Sequence, residues 1–184
     1  EVVTWHHEHY GDQAFDAFIP QLTMEAFDAD HYADVLDAAG MRYAVHVTKH
    51  HDGFCFWDAS HTERNSVRQG PHRDVAAELA GAIRRRGHVF GAYYSLLDWA
   101  HAHYPDQLRY VDAFMWPQMR ELVERFQPAV LWGDGHWGFP GGHWRSDAML
   151  DELRAVAQRD GFELLVNDRF WASQPDFVTY EYDV

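Results

Sequence analysis

The sequence predicts an α/β fold of the (β/α)8 barrel type. Short apolar segments alternate with amphipathic helical ones, glycines at positions 40, 87 and 161 stop three of the helices, and polar or aromatic residues bunch where the strands end. Alternation at this spacing implies crossovers, and crossovers make the strands parallel. An open doubly wound sheet alternates in the same way but normally carries a Gly-rich phosphate loop after its first strand, and this chain has none. Five strands are visible where a full barrel has eight over ~250 residues. Residues 1–184 are therefore expected to form a single partial barrel domain, an interior piece lacking the first and closing strands of the fold.

Residues 1–27 show no clear period and read as a loop excursion across one end of the barrel. Residues 30–39 place Tyr32, Val35, Leu36 and Ala39 on one helical face, with Gly40 next to end the helix. Residues 41–48 read as a strand that leads into Lys49, His50, His51, Asp52 and Gly53. The unit recurs as a helix over 74–86, with Val75, Leu79, Ala82 and Ile83 inward, and a strand over 88–94. Arg84, Arg85 and Arg86 lie where the helix dipole favours cations. A helical stretch over 105–126 contains Pro117, which should kink or split it, and leads to a strand over 129–134. Ser146 can cap a helix reaching Arg159, and strands over 162–167 and 177–182 complete the pattern.

A formal net charge of -14 argues against nucleic-acid or anionic-membrane partners, which need a positive field. No apolar run approaches the ~20 residues of a membrane span. The 8 Trp, 9 Tyr and 12 Phe suit a sugar site, where flat rings meet C–H faces, and equally suit a core. One cysteine, Cys55, allows neither an intrachain disulfide framework nor a Cys-based zinc site. The chain starts at Glu1 without Met, so both ends are expected to be cut, and localisation and oligomeric state are unreadable.

Parallel architectures bind ligands beyond the C-terminal strand ends. There the strands deliver His50 and His51, then Tyr93, then Trp132 and Asp134, then Asn167, Asp168 and Arg169, and last Glu181. Asp134 and Glu181 could flank one glycosidic bond, the minimal apparatus for its hydrolysis. Plainer readings stand beside this one. Asp134 lies between two glycines in a turn-like composition, Glu181 could face solvent on a strand, Tyr93 and Trp132 could line a core, and Arg169 could pair with Asp168 or Asp147. His6, His7, Glu8 and His9, together with His101 and His103, admit a metal-assisted hydrolase, though without HExxH spacing.

The runs TKHHDGFCFW (48–57), NSV (65–67), GPHRD (70–74), GAYYSLLDW (91–99), PAVLWGDG (128–135) and VNDRF (166–170) resemble, in order and spacing, the α-L-fucosidases of retaining glycoside hydrolase family 29. The resemblance covers nearly the whole chain. It implies an exo-acting hydrolase of terminal α-L-fucosides that retains configuration through a covalent fucosyl-enzyme on Asp134, with Glu181 as acid/base and no metal or organic cofactor. It further implies that His50 and His51 bind fucose hydroxyls, that Tyr93 and Trp132 line the sugar pocket, and that Arg169 stabilises the ionised nucleophile. Glu1 corresponds to a sugar-binding Glu of an upstream Glu-Trp pair, although Val2 stands where Trp would follow. The implied partner is a fucosylated oligosaccharide or glycoconjugate; a fucose-binding fragment without turnover is the non-catalytic alternative.

Overall fold

Four parallel strands form one sheet in the computed structural model, which describes residues 2–181. The elements run α1 (Val2–Tyr10), α2 (Ala29–Ala38), β1 (Tyr43–Lys49), α3 (Val75–Arg85), β2 (Val89–Ser95), α4 (Trp116–Phe126), β3 (Val130–Asp134), α5 (Ser146–Asp160) and β4 (Leu165–Val166). The strand order is β1-β2-β3-β4, without reversal, so each new strand is added on the same side of its predecessor. Barrel walls grow this way, whereas a doubly wound sheet reverses direction at a switch point.

The two faces of the sheet differ. Phe90, Ala92, Tyr94, Leu131 and Val166 point towards the helices and are fully or almost fully buried against residues such as Ile83, Met119, Leu122 and Leu153. On the other face Tyr43, Val47 and Val89 remain 59%, 40% and 41% exposed. Strand registers align Tyr43 with Val89, Val47 with Tyr93, Tyr93 with Trp132 and Ser95 with Asp134. Because side chains alternate along a strand, Tyr93, Ser95, Trp132 and Asp134 all belong to this second face.

The helices form where the periodicity places them, for identifiable reasons. Asp28 accepts from the backbone N–H groups of Asp30 and His31 and caps α2, and Asp74 accepts from Ala77 and caps α3. The three arginines at the end of α3 tie it to its neighbours: Arg84 donates to the carbonyls that end α4, while Arg85 and Arg86 pair with Asp30 and Asp34 of α2. Gly161 ends α5 in the left-handed conformation.

Several expectations are corrected. Residues 1–27 are not a plain loop: α1 and a 3-10 helix (Phe15–Gln21) occupy them, held by Tyr10 and His6 packing on Phe18, a cluster with no helical period. The stretch before Pro117 is a π-helix (Gln107–Met115) that passes into α4. Pro117 then sits in the first turn of α4, where its missing N–H costs little. Ser146 does not cap α5: Arg145 holds the N-cap position in a left-handed conformation, and the Ser146 hydroxyl is buried without a partner among the described residues. The strand expected over 162–167 shrinks to Leu165–Val166, because Phe162 turns back to bond the carbonyl of Ala157. Of the strand expected over 177–182, the described residues show one parallel bridge, between Asn167 and Phe177, and position 182 lies outside them.

Candidate active site

The C-terminal ends of β1, β2 and β3 converge on Asp134. Its Oδ2 accepts 2.7 Å from the Tyr93 hydroxyl and its Oδ1 accepts 3.0 Å from Arg169 Nη1. Burial pushes the carboxyl up, but the hydrogen bonds from Tyr93, Arg169 and the Gly135 N–H outweigh it and hold Asp134 below the ordinary carboxylate range. Burial, reinforced by the neighbouring carboxylate, pushes the Tyr93 phenol upward, so Tyr93 stays a donor. Arg169 does not pair with Asp168 or Asp147. Asp168 accepts from Thr179, and Asp147 accepts from Ser173.

Arg169 reaches Asp134 from a 3-10 turn (Asp168–Phe170) after β4. Its Nε donates 2.9 Å to Thr179 Oγ1, which in turn bonds Asp168, so the guanidinium is braced from behind. The same Nη1 that meets Asp134 also lies 2.5 Å from Glu181 Oε2. One nitrogen thus gathers both candidate carboxylates, Asp134 largely buried and Glu181 half-exposed.

The imidazole pair stands beside them. The ring of His50 stacks on Tyr93 at 5.7 Å and 9°, and the ring of His51 lies 4.0 Å from that of His50. Ser95 Oγ sits 2.7 Å from His51 Nδ1 and accepts from the Leu97 N–H at 3.0 Å, so the hydroxyl ties the ring to the end of β2. Burial, with the adjacent His50, lowers the His51 pKa and keeps the ring neutral. Trp132 lies two residues before Asp134 on the same face, its ring 5.8 Å from Phe177. Glu1 lies outside the described residues.

The loop carrying the histidines is set by residues that lie inside the quoted motifs but carry no assigned role there. A register shift in β1 between Val47 and Lys49 re-aims its end, and the Thr48 hydroxyl donates 2.7 Å to the Tyr93 carbonyl. Lys49 is fully buried; its Nζ donates to the Leu97 carbonyl at 2.9 Å and lies 3.8 Å from Asp98. Gly53, at φ +81°, packs so closely on Asp98 that a Cβ would meet its Oδ1 at 2.1 Å. Trp99 and Trp137, both exposed, approach His51 at 5.4 and 5.6 Å. Trp99 ends the GAYYSLLDW run, whereas the only signal for Trp137 is its position three residues beyond the end of β3.

Asn167, grouped with the ligand-facing residues, has a different task. Its side-chain oxygen accepts from the Gly133 N–H at 2.8 Å and its nitrogen donates to the Gly133 carbonyl at 3.0 Å, clamping β3 beside Asp134. The other histidine clusters are each engaged locally: His6 with the Gln13 carbonyl, His9 with the Trp5 carbonyl, His7 with Asp12, and His101 against Phe114. Among the described residues no three His, Cys, Asp or Glu side chains are grouped to hold a metal ion.

A family model for α-L-fucosidase matches residues 1–184. Tissue α-L-fucosidase of Bos taurus is 36% identical over 167 residues, covering 86% of this chain and 36% of its own length. Plasma α-L-fucosidase of Rattus norvegicus is 38% identical over 168 residues, with the same two shares. The solved α-fucosidase of Thermotoga maritima in complex with fucose is 34% identical and superposes with a TM-score of 0.81, over 97% of this chain and 44% of that one. The chain thus spans about 36% of the length of the curated relatives it matches. With the strand-end motifs, the gathered carboxylates and these matches in agreement, the chain belongs to the α-L-fucosidase family, glycoside hydrolase family 29.

Proposed function

We propose that the protein carrying this chain hydrolyses terminal α-L-fucosides with retention, using Asp134 as nucleophile and Glu181 as acid/base. The observation that supports this most is the shared guanidinium nitrogen. With Asp134 Oδ1 at 3.0 Å and Glu181 Oε2 at 2.5 Å from Arg169 Nη1, those two oxygens stand at most about 5.5 Å apart, a bound that accommodates the ~5–5.5 Å of a retaining pair and falls short of the ~6.5–9.5 Å of an inverting one.

In the first step a carboxylate oxygen of Asp134 attacks the anomeric carbon, the glycosidic C–O bond breaks, and the proton of Glu181 passes to the leaving oxygen. In the second step water adds to the same carbon, gives its proton to Glu181 and releases Asp134 as carboxylate. Positive charge develops on the ring between them, and the Asp134 carboxylate is placed to offset it. A general acid must present its proton to the glycosidic oxygen, whereas Glu181 Oε2 faces Arg169 Nη1 at 2.5 Å. The mechanism therefore requires the Arg169–Glu181 contact to yield to the glycosidic oxygen while Arg169 stays on Asp134. Neutral His51, with His50 and Tyr93, would hold the sugar hydroxyls; Trp132 would line the pocket. Glu1 would add a further hydroxyl contact. The scheme uses no metal or organic cofactor, and its substrate is a fucosylated oligosaccharide or glycoconjugate.

The site needs a closed wall, and the half-exposed apolar face of the sheet suits the interior of a (β/α)8 barrel. Residues 1–184 would then be one part of a single catalytic barrel whose remaining strands, one before β1 and others after β4, complete it.

The test is turnover of an aryl α-L-fucoside by the full-length protein. Asp134→Ala is expected to lose on the order of 10⁴-fold in kcat, and unchanged turnover removes the mechanism. Glu181→Ala is expected to be rescued by azide and to lose the basic limb of its pH profile; absence of both moves the acid to another residue.

A further inference from the structure

Residues 95–99, where β2 ends, join the histidine loop to β3. On one side the Trp99 N–H donates to the His51 carbonyl at 2.9 Å, and Ser95 Oγ lies 2.7 Å from His51 Nδ1. On the other side the Leu96 N–H donates to the Asp134 carbonyl at 2.8 Å. Leu97 packs so tightly on Gly135 that a Cβ there would meet its Cγ at 2.6 Å. His51 and Asp134 are therefore spaced by one short segment, and whatever fixes that segment fixes the distance between them.

The segment is held from inside the protein. Lys49, the last residue of β1, is fully buried, and its Nζ donates to the Leu97 carbonyl at 2.9 Å. The Tyr110 hydroxyl donates to the neighbouring Leu96 carbonyl at 2.8 Å and stands 3.5 Å from the same Nζ. Asp98 at 3.8 Å and the face of the Tyr94 ring at 4.5 Å complete the surroundings of the amino group. Burying such a group is costly, and apolar residues in place of a buried ion pair are often as stable or more so. Core stability alone is therefore a weak account of Lys49. We propose that Lys49 is a positioning residue: its hold on the Leu97 carbonyl keeps residues 95–99 as a rigid spacer and so sets the His51 imidazole against the Asp134 carboxylate. The inference rests on the fucosidase reading and deepens it, because a sugar held by His51 meets Asp134 at attack distance only while the spacer keeps its length. With its side chain fully buried, Lys49 acts through Leu97 and His51 rather than on the sugar.

The experiment gives the full-length protein an aryl α-L-fucoside as substrate and L-fucose as competitive inhibitor, and reads the melting temperature beside kcat, KM and the inhibition constant. Lys49→Met should lower the melting temperature, because it leaves Asp98 buried without its cation. Adding Asp98→Asn removes that unpaired charge and should restore most of the melting temperature. The double variant should nevertheless keep kcat/KM about tenfold below wild type and bind L-fucose correspondingly more weakly. A structural role alone would return activity together with stability, so wild-type kcat/KM and L-fucose inhibition in the double variant overturn the proposal. If the double variant does not fold or does not regain its melting temperature, Tyr110→Phe decides, since it removes the brace on Leu96 without opening the ion pair. Inhibition by L-fucose weakened a few fold supports the spacer, and wild-type inhibition overturns it. Wild-type protein that does not turn over the aryl fucoside ends the fucosidase reading, and the spacer with it; wild-type turnover leaves that reading standing whatever the variants do.

Discussion

Asp134 carries its charge in a place that disfavours it. Burial raises the carboxyl, and two side-chain donors and one backbone N–H bring it down past the ordinary value. Because the folded pKa lies below the unfolded one, ionised Asp134 contributes stability above about pH 4. That contribution disappears as pH falls through the lower folded value. Tyr93→Phe removes one donor at 2.7 Å and leaves burial less opposed. The acidic limb of kcat/KM should therefore shift to higher pH in this variant, as a pH–rate profile on an aryl fucoside would register; an unmoved limb would mean that Tyr93 does not set the charge of Asp134. Asp134, between two glycines, was identifiable as a motif residue, and the family resemblance implied Arg169 beside it, but the Tyr93 hydroxyl comes from 41 residues away and only the fold brings it to Asp134.

At the scale of elements, β3 and the turn after β4 are locked to each other. Gly133 faces Phe170 so closely that an added Cβ would stand 2.5 Å from the ring, and Asn167 bonds both backbone groups of Gly133. Gly133→Ala should cost about 1–3 kcal/mol by overpacking. Asn167→Ala should cost about 1–3 kcal/mol for each orphaned backbone group. Thermal melting of the full-length protein measures both, and Asn167→Ala should also weaken turnover, because the same turn carries Arg169. The helices α2, α3 and α5 could be read because each has an apolar stripe and a glycine beyond its end. The π-helix before α4 could not, since its bonding pattern leaves the apolar spacing nearly helical. The short β4 was overestimated because Leu164 and, beyond Glu163, Phe162 extend its apolar pattern, yet they pack on the core without joining the strand.

For the whole molecule, the telling feature is that the part of the second sheet face formed by Tyr43, Val47 and Val89 is apolar and open among the described residues. Parallel sheets are normally covered on both faces, yet Tyr43, Val47 and Val89 stay open to solvent, and β1 is an edge strand. If the rest of the barrel covers that face, residues 1–184 expressed alone should bind a hydrophobic dye and melt without a sharp transition, whereas the full-length protein should do neither. Tight, cooperative melting of the isolated chain would show that the open face is tolerated and the barrel wall dispensable.

The sequence by itself determined the family, the alternation of parallel strands and helices, and the strand-end positions where chemistry-bearing residues lie. Each of these is written in local periodicity or in short contiguous motifs. Tertiary structure alone decided that Asp134 and Glu181 meet on one arginine nitrogen, that Asn167 is a strut rather than a ligand, and that buried Lys49, Asp98 and Gly53 shape the histidine loop. Those outcomes depend on distances between residues far apart in the chain, and such distances exist only once the strands are in register.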